Sequence, residues 1–132
     1  MKGSCQCGRM EVEVRAVRPV GVNCYCTICR KITGGAFSTT VLAEETDFRI
    51  ARGVEALSRY SATPGVDRFH CAHCHAPIYA HEPARPQWGI FVAAGLFDGA
   101  DLEHVVFDHV FVESLVPWYK IRDDRPQFPR LP

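Results

Sequence analysis

Hydrophobic and polar residues alternate along much of this chain, and the alternation predicts β-strands. In the clearest case, Met10, Val12 and Val14 are separated by single glutamates. A period of two places successive side chains on opposite faces of a strand, so one face of this segment is expected to be buried. Turn-forming residues interrupt the pattern at short spacing, and no segment keeps the helical period of about 3.6 residues. The chain is therefore predicted to be all-β.

Further strands are predicted where β-branched and aromatic residues cluster, over residues 20–23, 36–43, 48–50, 54–60, 77–80, 90–94 and 104–112. The segments on either side of Arg52 and Gly53 are expected to form a hairpin. Residues 90–94 are the most apolar run, which is too short for a helix and predicts a strand buried on both faces. Helix is expected only as a single turn over residues 30–35, where a glycine pair ends it.

Length and composition are those of a soluble globular domain. The chain has 132 residues, of which 47% are hydrophobic and 23% charged. We assign residues 1–132 to one β domain, in which residues 115–132 form a proline-punctuated C-terminal tail that docks on the body through its aromatic residues. Fifteen basic residues balance fifteen acidic ones, which argues against a nucleic-acid partner. Without a secretory signal or an apolar run of about 18 residues, we expect no membrane association and a cytoplasmic location.

Three cysteines lie close together as Cys24, Cys26 and Cys29. Thiols this crowded are not typical of inert core packing, and their spacing lets all three sulfurs bind one zinc ion. The segment contains no fourth ligand, and a zinc ion with three protein ligands keeps one position open for water or substrate, as catalytic sites do. The alternative is a closed structural site that takes its fourth ligand from elsewhere in the chain, with the candidates His70, His73 and His75.

The other four cysteines form two tight pairs, Cys5 with Cys7 and Cys71 with Cys74. Seven cysteines cannot all close into disulfides, whereas two plus two thiolates make a closed tetrahedral zinc site. A redox role for the second pair is disfavoured because that motif accompanies a βαβ pattern, which this sequence lacks. A zinc ribbon that joins the second pair to two of the central cysteines is disfavoured because it leaves three cysteines unused. We therefore expect two zinc ions per chain.

Several segments match a known family in order and spacing: residues 3–8, 24–31, 34–35, 68–74, 109–112, 117–119 and 123–128. In these segments the chain resembles the glutathione-dependent formaldehyde-activating enzymes, the Gfa and centromere protein V family of zinc proteins. The resemblance implies a tent-like fold of several coiled antiparallel β-sheets with two zinc ions. It also implies a structural zinc held by Cys5, Cys7, Cys71 and Cys74, and a catalytic zinc held by Cys24, Cys26 and Cys29.

The resemblance further implies a carbon–sulfur lyase that condenses glutathione with formaldehyde or a related aldehyde. Arg30 and Lys31 follow the last central cysteine and are candidates to bind a substrate carboxylate, although such cations are also common as solvated surface residues. Gly34 and Gly35 complete the set of candidate substrate contacts.

A second hypothesis is a non-catalytic zinc module that offers a stable β platform to a protein partner, as the membership of centromere protein V in the family allows. The chain departs from the family pattern at three positions. Tyr25 stands where histidine is frequent, His70 replaces an aromatic residue, and His75 replaces a glycine. The ligand cysteines are intact, so the departures concern the lining of the site. Under either hypothesis we expect a monomer or a homodimer.

Overall fold

The structure is a computed structural model that describes residues 1–132. Its strands and its α-helix are, in chain order, β1 (Lys2–Ser4), β2 (Glu11–Val14), β3 (Val20–Cys24), α1 (Thr27–Thr33), β4 (Ser38–Ala43), β5 (Phe48–Arg52), β6 (Leu57–Thr63), β7 (Val66–Cys71), β8 (Pro77–His81), β9 (Ile90–Ala93) and β10 (Val106–Val110). Short 3-10 turns join several of these elements. The prediction of a mostly β chain is confirmed.

A small antiparallel sheet carries the N-terminal part of the chain, with its strands in the order β1–β2–β5. Its register places Gly3 opposite Val12, and Val14 opposite Phe48. Met10, Val12 and Val14 are at most 1% exposed. The alternating apolar residues of this segment therefore lie on one buried face of the strand, as predicted.

The larger sheet has seven strands in the order β10–β3–β4–β9–β8–β7–β6. Its pairs are antiparallel except for β10 and β3, which run parallel, with His109 opposite Asn23 and Val110 opposite Cys24. This parallel pair was not predicted. It brings the C-terminal part of the chain beside the strand that leads into the central cysteines.

The hairpin predicted around Arg52 and Gly53 is wrong. Strand β5 pairs with β2 in the small sheet, whereas β6 pairs with β7 in the large sheet. Gly53 has φ 86°, and a Cβ at this position would collide with the carbonyl oxygen of Arg9. The chain thus passes from one sheet to the other at a position that requires glycine, and the next strand begins at Leu57, not at Val54.

The core lies between the two sheets and contains twelve buried residues: Cys5, Met10, Val12, Val14, Val41, Ala43, Cys71, Ile78, Ile90, Val92, Leu96 and Val105. Strand β9 contributes Ile90 and Val92, while its alternate residues Phe91 and Ala93 are only half-buried. The prediction that this strand is buried on both faces is therefore wrong. Its second face lines an open cleft, and no second layer of structure covers it.

Helix α1 begins next to the central cysteines and has seven residues. Cys26 is its N-cap, and the Cys26 sulfur accepts a hydrogen bond from the Cys29 N–H at 3.3 Å. Gly34, with φ 75°, ends the helix, and its N–H donates to the Arg30 carbonyl at 2.9 Å. The predicted glycine stop is confirmed. The helix is longer than the single predicted turn because it starts from the cap at Cys26 and not at Arg30.

The C-terminal tail pairs with β10 in the parallel direction at an isolated bridge, with Gln127 opposite His109. The His109 N–H donates to the Pro126 carbonyl at 2.9 Å, and the Phe128 N–H donates to the His109 carbonyl at 2.8 Å. Tyr119 packs against Phe37 with a ring-centroid distance of 5.3 Å. None of the helical segments in the structure has the length and apolar character needed to cross a bilayer.

Candidate metal centres and the adjoining cleft

The three central cysteines come together where β3 passes into α1. Cys24 ends β3, Cys26 caps the helix, and Cys29 lies in the first helical turn. Their three sulfur atoms all lie within 4.8 Å of one another. The tight turn between strand and helix is therefore what gathers the three thiols into one group, which we call the three-cysteine site.

The three thiols share their hydrogen bonds unequally. Hydrogen bonds from the Cys24 and Cys29 thiols, together with the backbone N–H groups of Cys29 and Ile28, lower the pKa of Cys26 far below its usual value. The hydrogen bonds to Cys26 and Cys29, together with burial, raise the pKa of Cys24. Of the three thiols, Cys26 is therefore the one whose surroundings favour the thiolate form, and it lies in the favourable position at a helix N-terminus.

The other four cysteines form a second group at the edge of the core. The sulfur atoms of Cys5 and Cys7 are 3.6 Å apart, and those of Cys7 and Cys71 are 3.9 Å apart. Cys5 and Cys71 are at most 3% exposed and belong to the core, and Cys74 completes the group. This four-cysteine site joins the N-terminal segment to the end of β7.

Both groups fit zinc by the chemistry and spacing of their donors. Tetrahedral zinc with bonds of about 2.3 Å to sulfur sets neighbouring sulfurs about 3.8 Å apart, which agrees with the four-cysteine site. Neither group includes a histidine or a carboxylate. The three-cysteine site therefore offers three protein ligands, and the closed alternative with a borrowed histidine is not formed.

The three histidines that were candidates for a fourth ligand do not lie at the three-cysteine site. His70 and His75 line a cleft, with ring centroids 6.4 Å apart, and His73 lies at a separate shallow surface depression. His75 has φ 65°, a left-handed conformation that glycine adopts more readily. The backbone after the second cysteine pair therefore explains why glycine is usual at this position in the family that the sequence resembles.

The cleft has a volume of about 720 Å³ and runs along the outer face of the large sheet. All three central cysteines line it, together with Ile28 and Ile32 of α1. Its volume is in the range of small-molecule sites. The three-cysteine site therefore adjoins a space of ligand size, whereas the four-cysteine site does not line this cleft and contributes Cys5 and Cys71 to the core.

The cations of the cleft differ in their partners. Arg85 pairs with Glu82 at 3.3 Å, and Arg130 pairs with Glu113 at 2.8 Å. Arg68 has no ion pair in the structure, and its buried Nη1 atom has no hydrogen-bond partner. A buried guanidinium nitrogen without a partner is costly, so Arg68 is suited to bind an anionic group of a ligand.

The predicted substrate contacts Arg30, Lys31, Gly34 and Gly35 do not line the cleft. Arg30 is half-buried and its Nε atom has no hydrogen-bond partner, while Lys31 is exposed. The role proposed for these four residues stays a prediction.

A series of hydrogen bonds connects the buried Tyr25, which lies between two ligands of the three-cysteine site, with the half-exposed Asp123. The Tyr25 hydroxyl is 2.9 Å from His109 Nδ1, and His109 Nε2 is 2.9 Å from Asp123 Oδ1. Tyr25 is fully buried and His109 is 2% exposed. The hydrogen bonds from His109 and from the Arg125 N–H lower the pKa of Asp123. The sequence analysis did not predict these hydrogen bonds between Tyr25, His109 and Asp123. Their only signal in the sequence was a histidine inside the apolar pattern of β10.

Fold and sites together define a class: a β protein with one four-cysteine group at the edge of the core and one three-cysteine group that lines a cleft. The model of the family described as glutathione-dependent formaldehyde-activating enzyme matches residues 1–114. The chain therefore belongs to this family.

The chain is also similar to individual proteins of this kind, a curated relative and a solved structure among them. A Halomonas elongata protein named "Putative glutathione-dependent formaldehyde-activating enzyme" is 33% identical over 94 residues, which cover 66% of this chain and 59% of the relative. The match thus spans about three fifths of the relative's length. A crystal structure of a Rhodobacter sphaeroides protein superposes with a TM-score of 0.66 at 26% identity, covering 81% of this chain and 99% of that one.

Proposed function

We propose that this protein is a zinc-dependent enzyme of the carbon–sulfur lyase type that condenses a small thiol, glutathione first, with formaldehyde or a related aldehyde. The observation that carries the proposal is the three-cysteine site, which offers three thiolate ligands and opens onto a cleft of ligand size. The family of the chain supports the same substrates. A site built only for structure has no need of an open ligand position.

In this proposal Cys24, Cys26 and Cys29 hold the catalytic zinc. The four-cysteine site of Cys5, Cys7, Cys71 and Cys74 holds a structural one. A zinc ion bound by three thiolates supplies Lewis acidity, which favours the thiolate form of a thiol substrate near neutral pH. All seven cysteines are free of disulfides, which suits a reducing compartment such as the cytoplasm.

The residues of the chain bind and orient the reactants. The reaction joins the thiol sulfur to the carbonyl carbon, the π electrons of the carbonyl pass to its oxygen, and the thiol proton ends on that oxygen. Arg68 is placed to bind a carboxylate of the thiol, because it is the cleft cation that lacks a partner. Holding both reactants in one cleft replaces a chance collision by a positioned encounter.

The test compares glutathione with S-methylglutathione, which has the same carboxylates but a blocked sulfur. A ligand that binds only the folded state raises its stability, so protection against thermal unfolding reports binding. We expect glutathione to protect the two-zinc protein more strongly than S-methylglutathione, and to form its formaldehyde adduct faster than without protein. Equal protection by both would contradict sulfur binding at the metal. Protection by neither, with no acceleration, would favour the non-catalytic module.

A further inference from the structure

We infer that His109 and Asp123 are positioning residues of the three-cysteine site, and that they act on its metal affinity through Tyr25. The inference rests on the metal site of the proposed function, but not on its substrate. Tyr25 lies between two of the three ligands in the sequence, so the position of its side chain constrains the backbone on both sides.

Tyr25 does not line the cleft, and it is held by contacts with β10 and with two aromatic rings. Its backbone N–H donates to the Val110 carbonyl at 3.0 Å, and its hydroxyl reaches His109 Nδ1 at 2.9 Å. Its ring packs against Phe37 and Tyr119, with centroid distances of 5.1 and 6.1 Å. The ligand loop is therefore tied to β10 and to the C-terminal tail by side chain as well as by backbone.

The direction of each hydrogen bond follows from the donors available. The carboxylate of Asp123 can only accept, so His109 Nε2 carries the hydrogen of that bond. When the ring carries no second hydrogen, its Nδ1 atom accepts from the Tyr25 hydroxyl. The second partner of the imidazole thus decides which nitrogen faces Tyr25, as second partners do for histidines that bind metals directly.

Asp123 is itself held in place by the tail. Its Oδ1 atom also accepts from the Arg125 N–H at 3.0 Å, and the Arg125 guanidinium Nε donates to Asp108 of β10 at 3.0 Å. These tail residues lie beyond the part of the chain that the family model matches, which ends at residue 114. Asp123, which follows Cys29 by 94 positions, would thereby influence the metal affinity of the three-cysteine site.

Asp123 is the most informative position to change, because its side chain is half exposed and its loss leaves no cavity in the core. Asp124 provides a matched control. It is the same residue type at the next position, it is exposed, and it makes no hydrogen bond or ion pair. Asp123→Ala and Asp124→Ala therefore change the net charge equally, and they differ in the contacts of Asp123 to His109 and to the Arg125 N–H.

The experiment titrates two-zinc protein with a chromophoric chelator and measures the dissociation constant of each zinc ion. The Cys26→Ser variant identifies which ion belongs to the three-cysteine site. We expect Asp123→Ala to weaken that ion about tenfold or more and to leave the other ion unchanged, since loss of such outer contacts typically costs 10–100-fold in affinity. Asp123→Asn, which keeps an accepting oxygen, is expected to lie between Asp123→Ala and the parent.

Two results would overturn the inference. One is an affinity of Asp123→Ala at the three-cysteine site within about twofold of Asp124→Ala, because the hydrogen-bonded chain then has no effect on the site. The other is equal weakening of both zinc ions, which would show a general loss of stability in place of positioning.

Tyr25→Phe gives a second test, because it removes the hydroxyl that contacts His109. It is expected to weaken binding of the zinc ion at the three-cysteine site. Because the readout is metal affinity, a failure here is separate from a failure of thiol binding.

Discussion

Replacement of Cys71 by serine tests whether the four-cysteine site stabilises the fold. Cys71 has 0% exposure and belongs to the core, and its sulfur lies 3.9 Å from that of Cys7, which is 64 positions earlier in the chain. A metal ion at this site therefore closes a long loop between the small sheet and the end of β7. Cys71→Ser removes one ligand and leaves a buried hydroxyl in its place.

The magnitude can be estimated from loop closure. A cross-link that closes a loop of this length stabilises a protein by about 4 kcal/mol in the chain-entropy treatment. The entropy of unfolding near the melting temperature is about 2.1 cal/mol/K per residue, or about 0.28 kcal/mol/K for a chain of this length. The expected decrease in melting temperature is therefore about 14 °C. Because typical domains have only about 5–15 kcal/mol of stability, partial insolubility is also expected.

The matched control is Cys26→Ser at the three-cysteine site. Its ligands lie within one short segment, so the loss of that zinc releases no long loop. Serine is also a favoured N-cap, so helix α1 keeps its cap. We expect a decrease of less than about 5 °C in thermal melts followed by circular dichroism. Equal decreases for the two variants would refute the distinction between a structural and a catalytic site.

Three further predictions concern metal and ligand binding. Reduced protein is expected to contain two zinc ions per chain by metal analysis, and a single equivalent that added zinc does not raise would contradict this. Zinc binding at the three-cysteine site is expected to release about two protons at neutral pH, because Cys24 and Cys29 have raised pKa values and Cys26 a lowered one. Affinity then rises with pH, and calorimetry in buffers of different ionisation enthalpy counts the protons; release of none would be inconsistent with these pKa directions. Arg68→Gln is expected to raise the glutathione concentration needed for thermal protection at least about tenfold, and Arg68→Lys less, since a charged hydrogen bond contributes about 1.5–3 kcal/mol. An unchanged concentration would exclude Arg68 as the carboxylate contact.

Local patterns in the sequence predicted the features that depend on neighbouring residues. The alternation of Met10, Val12 and Val14 predicted the buried face of the small sheet, and Gly34 predicted the end of the helix. Both depend only on side-chain period and on the conformational freedom of glycine. The spacing of the central cysteines likewise indicated that their sulfurs meet.

Features that join distant segments were not predictable in this way. The parallel pairing of β10 with β3 joins residues more than 80 positions apart, and nothing local to either strand specifies its partner. The false hairpin at Gly53 shows the same limit, since a glycine turn fits a passage between sheets as well as a hairpin. Arg68 and Asp123 belong here too, because a half-exposed charged residue looks in sequence like any solvated one.

The most direct test of the central claim is a spectrum of the three-cysteine site with cobalt in place of zinc. Sulfur-to-cobalt charge transfer reports the number of bound thiolates. Glutathione is expected to raise this absorbance by about a third, because a fourth thiolate joins the three of the protein, whereas S-methylglutathione leaves it unchanged. A spectrum that does not change with saturating glutathione, or that changes equally with both compounds, would contradict an open site that binds the thiol of its substrate.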